Sequence, residues 1–533
     1  MTPLDATADP VLAFLAADSA TPLLRAVVTA AYIALLALIC VYGVHRYWMM
    51  RLYRRHLMDS ARPAARFAEP PRVTIQLPMF NEGPVGVRII DATVAIDYPR
   101  EQLQIQVVDD STDGSAELAR QRVEHWQKQG VDISYHHRTD RTGFKAGALD
   151  AALPEATGEF IAIFDADFLP PRSFLKRTIH HFTDPKIGMV QTRWDHLNRA
   201  DSLLTRAQAI FLDGHFLIEQ TARNRAGMYM GFNGTAGVWR RQAIADGGGW
   251  EHDTLTEDLD LSYRSQMAGW QFRFLPHVAC PAELPPEINA FKSQQHRWTK
   301  GAIQCAKKIL PRLMRARVPL LVKAEGFFHL TCPMVYLYMT LMCLLFYPAI
   351  HLNVQLAQRG SWVGVIIGVA LFGMGTVSAA LYYLVAQKRR RRPFWKTALY
   401  IPLLMAVGVG VALSNAVACI EALLGYQTPF VRTPKYGRAG PEDQASSAGK
   451  ARPAGIVPIP IPSLRLSVAL LELVMAGYMI FCLWLAWQQP ATMISVPFLL
   501  LFAIGYLYVG LTSTWLHLLA RLPRRGPAVP SPA

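Results

Sequence analysis

A chain of 533 residues that is 52% hydrophobic and only 17% charged, with a mean hydropathy of +0.17, is too apolar for an ordinary soluble protein. Its 54 Lys+Arg outnumber 39 Asp+Glu for a formal charge of +15, but the basic runs flank apolar blocks, so the excess is assigned to membrane topology and no nucleic-acid partner is expected. The seven cysteines form no Cys-x-x-Cys pair, which argues against zinc-site and disulfide-scaffold classes and suits a reducing compartment.

Residues 1–23 are expected outside the cytoplasm, ahead of an uncleaved transmembrane anchor at residues 24–46. The basic flank of that anchor, with His45, Arg46, Arg51, Arg54 and Arg55, marks its cytoplasmic end. From 72 to 300 the texture changes to short β-prone runs between helical stretches. Strands are expected at Val73–Leu77, stopped by Pro78, and at Gln104–Val108, Asp132–His136 and Phe160–Phe164, with a helix over Ser115–Gln129. Such alternation implies βαβ units, an α/β domain with a mostly parallel sheet, and ligands at the carboxyl ends of its strands. Neither a Gly-x-Gly-x-x-Gly nor a P-loop pattern is present, so the dinucleotide and P-loop NTPase classes are set aside.

Residues 301–320 interleave Ile303, Ile309, Leu310 and Leu313 with Lys307, Lys308, Arg312 and Arg315, and read as amphipathic, interfacial helix on either side of Pro311. Transmembrane helices are expected at 327–350 and 362–386, the second followed by the basic run Lys388–Arg392. Residues 395–424 are long enough to cross once yet have basic flanks on both sides, so an interfacial or re-entrant segment is expected. A loop and flexible linker at 430–462 precede last spans at 465–487 and 494–517, for five crossings. Glu472 falls inside one of them, where a carboxylate either lines a polar path or snorkels.

The chain is organised around Phe160–Asp167, an apolar run that ends in two carboxylates. Asp165 and Asp167, at i and i+2 of an extended segment, can converge on a hard cation such as Mg²⁺ or Mn²⁺ that bridges to substrate phosphates. An isolated Asp-x-Asp is more readily a helix cap beside a solvated carboxylate. What sets this one apart is five further polar clusters: Pro78-Met79-Phe80-Asn81-Glu82, Asp109-Asp110-Ser111, Arg141–Leu149, Thr256-Glu257-Asp258 and Gln294-Gln295-His296-Arg297-Trp298.

In order and spacing these clusters resemble the inverting glycosyltransferases of family 2, whose nucleotide-sugar-binding fold is called GT-A. Within that family the likeness is to membrane-embedded processive β-glycan synthases. Phe232–Gly237, Leu255–Arg264 and Gln294–Gly301 are similar to cellulose-synthase-like mannan and glucomannan synthases. The resemblance implies a GT-A cytoplasmic domain inserted between transmembrane helices, with a divalent metal at Asp165 and Asp167. It further implies a donor site drawn from Asn81, Glu82, Asp110, Lys145, Asp165, Gln294 and Arg297. Asp258 matches the general base of the Thr-Glu-Asp motif, and Glu257, Asn233, Gly234 and Trp298 face the acceptor. Phe430–Lys435 resembles a gating loop, with Thr433 and Lys435 as its polar residues and Pro434 as in mannan-type relatives. A carboxylate of ordinary pKa, about 4, is already ionised at neutral pH, so Asp258 is expected to need placement only.

Blander roles compete for single residues. Lys145 could be a solvated lysine and Trp298 a membrane-interface anchor, while His196 and His296 lack a second histidine at ligand spacing and read as structural. The implied activity is hexosyl transfer from GDP-mannose or UDP-glucose to a growing β-glycan, with translocation through the membrane helices and export partners beyond. The alternative acceptor is a lipid such as ceramide or polyprenyl phosphate. A receptor or transporter that only binds a nucleotide sugar would not need Asp165, Asp167, Asp258 and Arg297 together. The core carries no large insertions, which favours a bacterial inner membrane.

Overall fold

In the computed structural model, residues 22–59, 62–358, 362–427, 435 and 466–521 are described. Residues 1–21, most of the 430–462 segment and Thr433 therefore lie outside the described residues. A seven-stranded sheet runs in the order β3-β2-β1-β4-β6-β5-β7. Its strands are β1 (Val73–Met79), β2 (Leu103–Asp109), β3 (Ile133–His137), β4 (Phe160–Ile163), β5 (Ile187–His196), β6 (Gly237–Arg240) and β7 (Gln271–Ala282). Strands β1 to β4 are mutually parallel, β6 is antiparallel to β4 and β5, and β7 is parallel to β5. The sheet is thus mixed but mostly parallel, with both faces buried.

One face of β1 and β2 carries Val73, Ile75, Leu77, Ile105 and Val107 into an apolar core. The other face is a buried polar ladder. Thr74 donates to Gln104 at 2.8 Å and Gln76 to Gln106 at 3.0 Å, and Gln106 caps the carbonyl of Ala152 at 3.1 Å on helix α1 (Phe144–Ala152). The amide nitrogens of Gln76, Gln104 and Gln106 all find acceptors, which offsets the cost of burying them. Pro78 does not end β1, contrary to expectation. Pairing with β4 stops at Gln76, so beyond it only β2 is a neighbour and a proline is tolerated there.

The expected break near residue 300 falls inside one continuous helix, α2 (Ile288–Arg315), which runs through Pro311 and carries both the Gln294–Trp298 cluster and the basic amphipathic stretch. Among the described residues, Ala26–Arg55, Ala370–Arg389, Leu466–Trp487 and Thr492–Ala520 are long and apolar enough to cross a membrane. Two bent pairs, Leu320–Thr331 with Met334–Leu344 at 58° and Phe394–Gly410 with Ala412–Leu424 at 43°, bring the number to six if each is one span. The expected 327–350 span and the ambiguous 395–424 block fall on these pairs. Small residues let the helices close. A Cβ on Gly43 would lie 3.0 Å from Gly375 Cα, and one on Gly410 would lie 2.4 Å from Gly505 O.

Buried ion pairs tie the sheet domain to this bundle. Lys292 Nζ lies 2.8 Å from Glu472 and 3.2 Å from Ser513 Oγ, with both charged side chains fully buried. Glu472 therefore does not snorkel, and its charge faces a lysine of α2. Arg223 likewise reaches Glu325 at 2.9 Å, which His45 meets from the first spanning helix at 2.8 Å.

Candidate active site

Strands β1, β2 and β4 end side by side, and the loops that leave them frame a pocket of about 200 Å³. Side chains from all six clusters line it, and Trp298 of α2 closes one wall. Among the described residues, each expected site residue lines this pocket except Asn81. Asn81 has φ 54° and clamps two loops together: its N–H donates to Ser111 Oγ at 2.7 Å, and its Oδ1 accepts from the Thr112 N–H at 2.8 Å. Its hydrogen bonds join the loop after β1 to the loop after β2 beside the pocket.

At one end of the pocket, Asp110 is gripped by Arg138 through two contacts, Nε to Oδ1 at 2.8 Å and Nη2 to Oδ2 at 2.6 Å. Arg141 lays its guanidinium over the Phe80 ring, 3.4 Å from the centroid. Sequence reasoning missed Arg138, which belongs to no cluster, and gave Arg141 and Phe80 no role although both lie inside clusters already singled out.

At the centre, the tip of β4 presents both carboxylates. Lys145 Nζ lies 2.5 Å from Asp165 Oδ1 and donates to the Gly234 carbonyl at 2.8 Å, so Lys145 is a pocket residue and not a solvated lysine. The attraction of Asp165 and Glu257 outweighs desolvation and holds its pKa above the ordinary value. Lys435 Nζ lies 2.8 Å from Asp167 Oδ1 and 3.3 Å from Glu82 Oε1. Two hard carboxylates, each already facing a cation, fit a divalent ion whose remaining ligands come from water and phosphate oxygens. A three-carboxylate group elsewhere, Glu251, Asp253 and Asp260, is filled by Lys308 Nζ at 2.5, 2.7 and 3.1 Å.

On the opposite wall, Glu257 and Asp258 open helix α3 (Glu257–Met267) directly after Thr256. The helix N-terminus favours negative charge there. Gly301 lets α2 press on this turn, since a Cβ at that position would sit 2.5 Å from Thr256 Cγ2. Gly234, with φ +79°, separates the two halves of the pocket: its Cβ would lie 2.9 Å from Asp258 Oδ2 and 3.5 Å from Lys145 Nζ. Burial first, and the neighbouring Glu257 second, push the Asp258 carboxyl up to about 7. Burial raises Glu257 as well. The expectation of an ordinary carboxylate at 258 is thus corrected: placement and desolvation act together.

Arg297 lies in the field of Glu257, Asp165, Asp258 and Asp167. Trp298 packs 6.3 Å, centroid to centroid, from Trp194, so it faces the domain and not the membrane interface. Asn233 is held by Gln220 Nε2, donating to its Oδ1 at 2.7 Å, and by His215 Nε2 at 3.0 Å. His196 lines the pocket, and burial pushes its pKa down to about 4, which keeps it neutral.

Residues 70–301 match the family model described as "Glycosyltransferase like family 2". Over 274 residues the chain is 41% identical to "Probable glucomannan 4-beta-mannosyltransferase 6" from Oryza sativa subsp. japonica, covering 50% of this chain and 48% of that protein. The chain thus spans about half the length of that curated relative. Among solved structures, the mannosyltransferase PcManGT from Pyrobaculum calidifontis, in complex with GDP-Man and Mn²⁺, superposes with a TM-score of 0.51 at 22% identity. That match covers 75% of this chain and 100% of PcManGT, and it shows the shared GT-A-like fold.

Proposed function

We propose, from the match of residues 70–301 to the glycosyltransferase family 2 model, that this protein is a membrane-embedded inverting hexosyltransferase that extends a β-glycan from a nucleotide-sugar donor. The observation that carries the reading is the convergence of Asp165, Lys145 and Arg297 with the buried Glu257–Asp258 pair in one pocket, across a single glycine.

In this reading Asp110 with Arg138, and Arg141 over Phe80, shape the nucleoside end, with Glu82 beside them. Lys145 and Arg297 neutralise the donor diphosphate, Arg297 with a planar fork suited to phosphate oxygens and Lys145 as a point charge. A divalent ion held by Asp165 and Asp167 would supply Lewis-acid neutralisation of the leaving diphosphate. Asp258 takes the proton of the acceptor hydroxyl as that oxygen attacks the anomeric carbon from the face opposite the departing nucleotide, so one displacement inverts the centre. Gln294 supports the donor, and Glu257 and Asn233 orient the acceptor. Trp298 offers a flat apolar face of the kind that suits a sugar ring. Lys435 would exchange Asp167 for donor phosphate when the donor binds.

The likeness to the rice glucomannan 4-beta-mannosyltransferase supports mannose as the sugar and a β-1,4 linkage, hence GDP-mannose over UDP-glucose as donor. The helices that can span a membrane support catalysis on a membrane protein with the sheet domain on its basic, cytoplasmic side. A plant relative lends nothing to the expected bacterial inner membrane. The test is to incubate the purified chain, in lipid, with labelled GDP-mannose or UDP-glucose and resolve products by size. Long mannan is expected. A single-sugar lipid would instead establish the ceramide or polyprenyl-phosphate alternative and exclude processive translocation, and absence of transfer from either donor would overturn the proposal.

A further inference from the structure

A cavity of about 710 Å³, away from the catalytic pocket, lies between the first spanning helix, Pro22–Arg55, and the spanning helix Trp362–Arg389. Its polar wall is Arg51, Arg54 and Arg55, with Tyr47 below them, and its apolar wall is Met50 with Leu381 and Val385. All three arginines are exposed, and no carboxylate among the described residues pairs with them; Asp59, the next acid along the chain, is taken by His56 at 2.7 Å. Lys388 and Arg389 end the facing helix and add to the same field. Three unneutralised guanidinium groups in one groove call for an anion, and guanidinium forks match phosphate oxygens.

The rest of the groove decides which anion. From Arg51 and Arg55 the same helix face continues away from the basic end through Trp48, Val44 and Val41, which are 37%, 49% and 48% exposed. Opposite them, Leu381 and Val377 are 41% and 49% exposed. A ligand that satisfies both halves is anionic at one end and a long apolar chain at the other. We propose that this groove is a binding site for an anionic phospholipid, with its phosphate on Arg51, Arg54 and Arg55 and an acyl chain along Met50, Val385 and Leu381. A basic pocket between spanning helices at the cytoplasmic side is where such headgroups are recognised. The site does not depend on the chemistry assigned to the sheet domain.

The full-length chain, purified in a neutral detergent, is titrated with dioleoylphosphatidylglycerol, dioleoylphosphatidylcholine or inorganic phosphate. Lipid retention is read by native mass spectrometry and the thermal midpoint is followed in parallel. Phosphatidylglycerol should be retained and raise the midpoint, whereas phosphatidylcholine, with the same chains, and inorganic phosphate should do neither. Arg54→Gln and Arg55→Gln should each weaken phosphatidylglycerol binding about fivefold. Val385→Trp fills the apolar wall while keeping every charge, so membrane orientation is not in question, and it should lower retention too. The proposal is overturned if phosphatidylcholine matches phosphatidylglycerol, if inorganic phosphate gives the same shift, or if Val385→Trp retains phosphatidylglycerol as the unaltered chain does.

Discussion

Replacing Gly234 with alanine isolates the link between backbone geometry and the reacting groups. At φ +79° an L side chain costs roughly 1–2 kcal/mol in the left-handed region. The added Cβ would also stand 2.9 Å from Asp258 Oδ2, roughly 0.5 Å inside ordinary van der Waals contact, whereas its 3.5 Å approach to Lys145 Nζ is tolerable. The proposed base must therefore move and the phosphate-side lysine need not. Because a misplacement of about 1 Å can cost about a hundredfold in rate, kcat should fall between about ten- and a hundredfold with donor Kd nearly unchanged. Gly227 supplies the control: its φ is +70° and a Cβ there meets nothing within 4 Å. Gly227→Ala should lower the thermal midpoint as Gly234→Ala does but leave transfer intact. Initial rates with labelled donor, beside calorimetric donor affinity, separate the two effects. If Gly234→Ala turns over like Gly227→Ala, Asp258 is not held where transfer requires it.

The acid limb of kcat/KM should sit near pH 7, because Asp258 works deprotonated and burial raises its pKa to about 7; at pH 6 only about one-tenth of it is ionised. Glu257→Gln removes the like charge beside it, so the limb should move to lower pH, and a limb that stays or moves up contradicts the pairing. A chelator should abolish transfer and added Mn²⁺ or Mg²⁺ restore it; Asp167→Asn should raise the metal concentration for half-maximal activity by roughly tenfold or more. Lys292→Met leaves Glu472 buried and alone and should cost about 3–5 kcal/mol, seen as a large drop in thermal midpoint, while Lys292→Met with Glu472→Leu should recover much of it.

Strands β1, β2 and β4 were legible because each is a continuous apolar or alternating run closed by polar residues. The other half of the sheet was not. Strand β6 is Gly-Val-Trp-Arg, with neither an apolar run like that of β4 nor room for an alternation, and β5 ends in Arg193, Trp194, Asp195 and His196, which read as loop. Strand β7 contains Pro276 and Pro281, which argue against a strand; the sheet order shows why they are tolerated, since β7 is an edge. At the site, the polar clusters at the strand tips could be singled out from their order and spacing, and the resemblance supplied the roles expected of them. Contacts between loops far apart in sequence could not: Arg138 on Asp110, Lys435 between Glu82 and Asp167, and the glycine wedge against Asp258 depend on tertiary placement. The same holds for the shifted Asp258, because desolvation is a property of the folded pocket.

Asp258→Asn gives the most direct measurement. The amide keeps the shape of the carboxylate but cannot accept the acceptor's proton, so donor affinity should stay within about twofold while transfer falls by about 10²–10⁴. Turnover close to that of the unaltered enzyme, or loss of donor binding and transfer together, would contradict the assignment of Asp258 as the base.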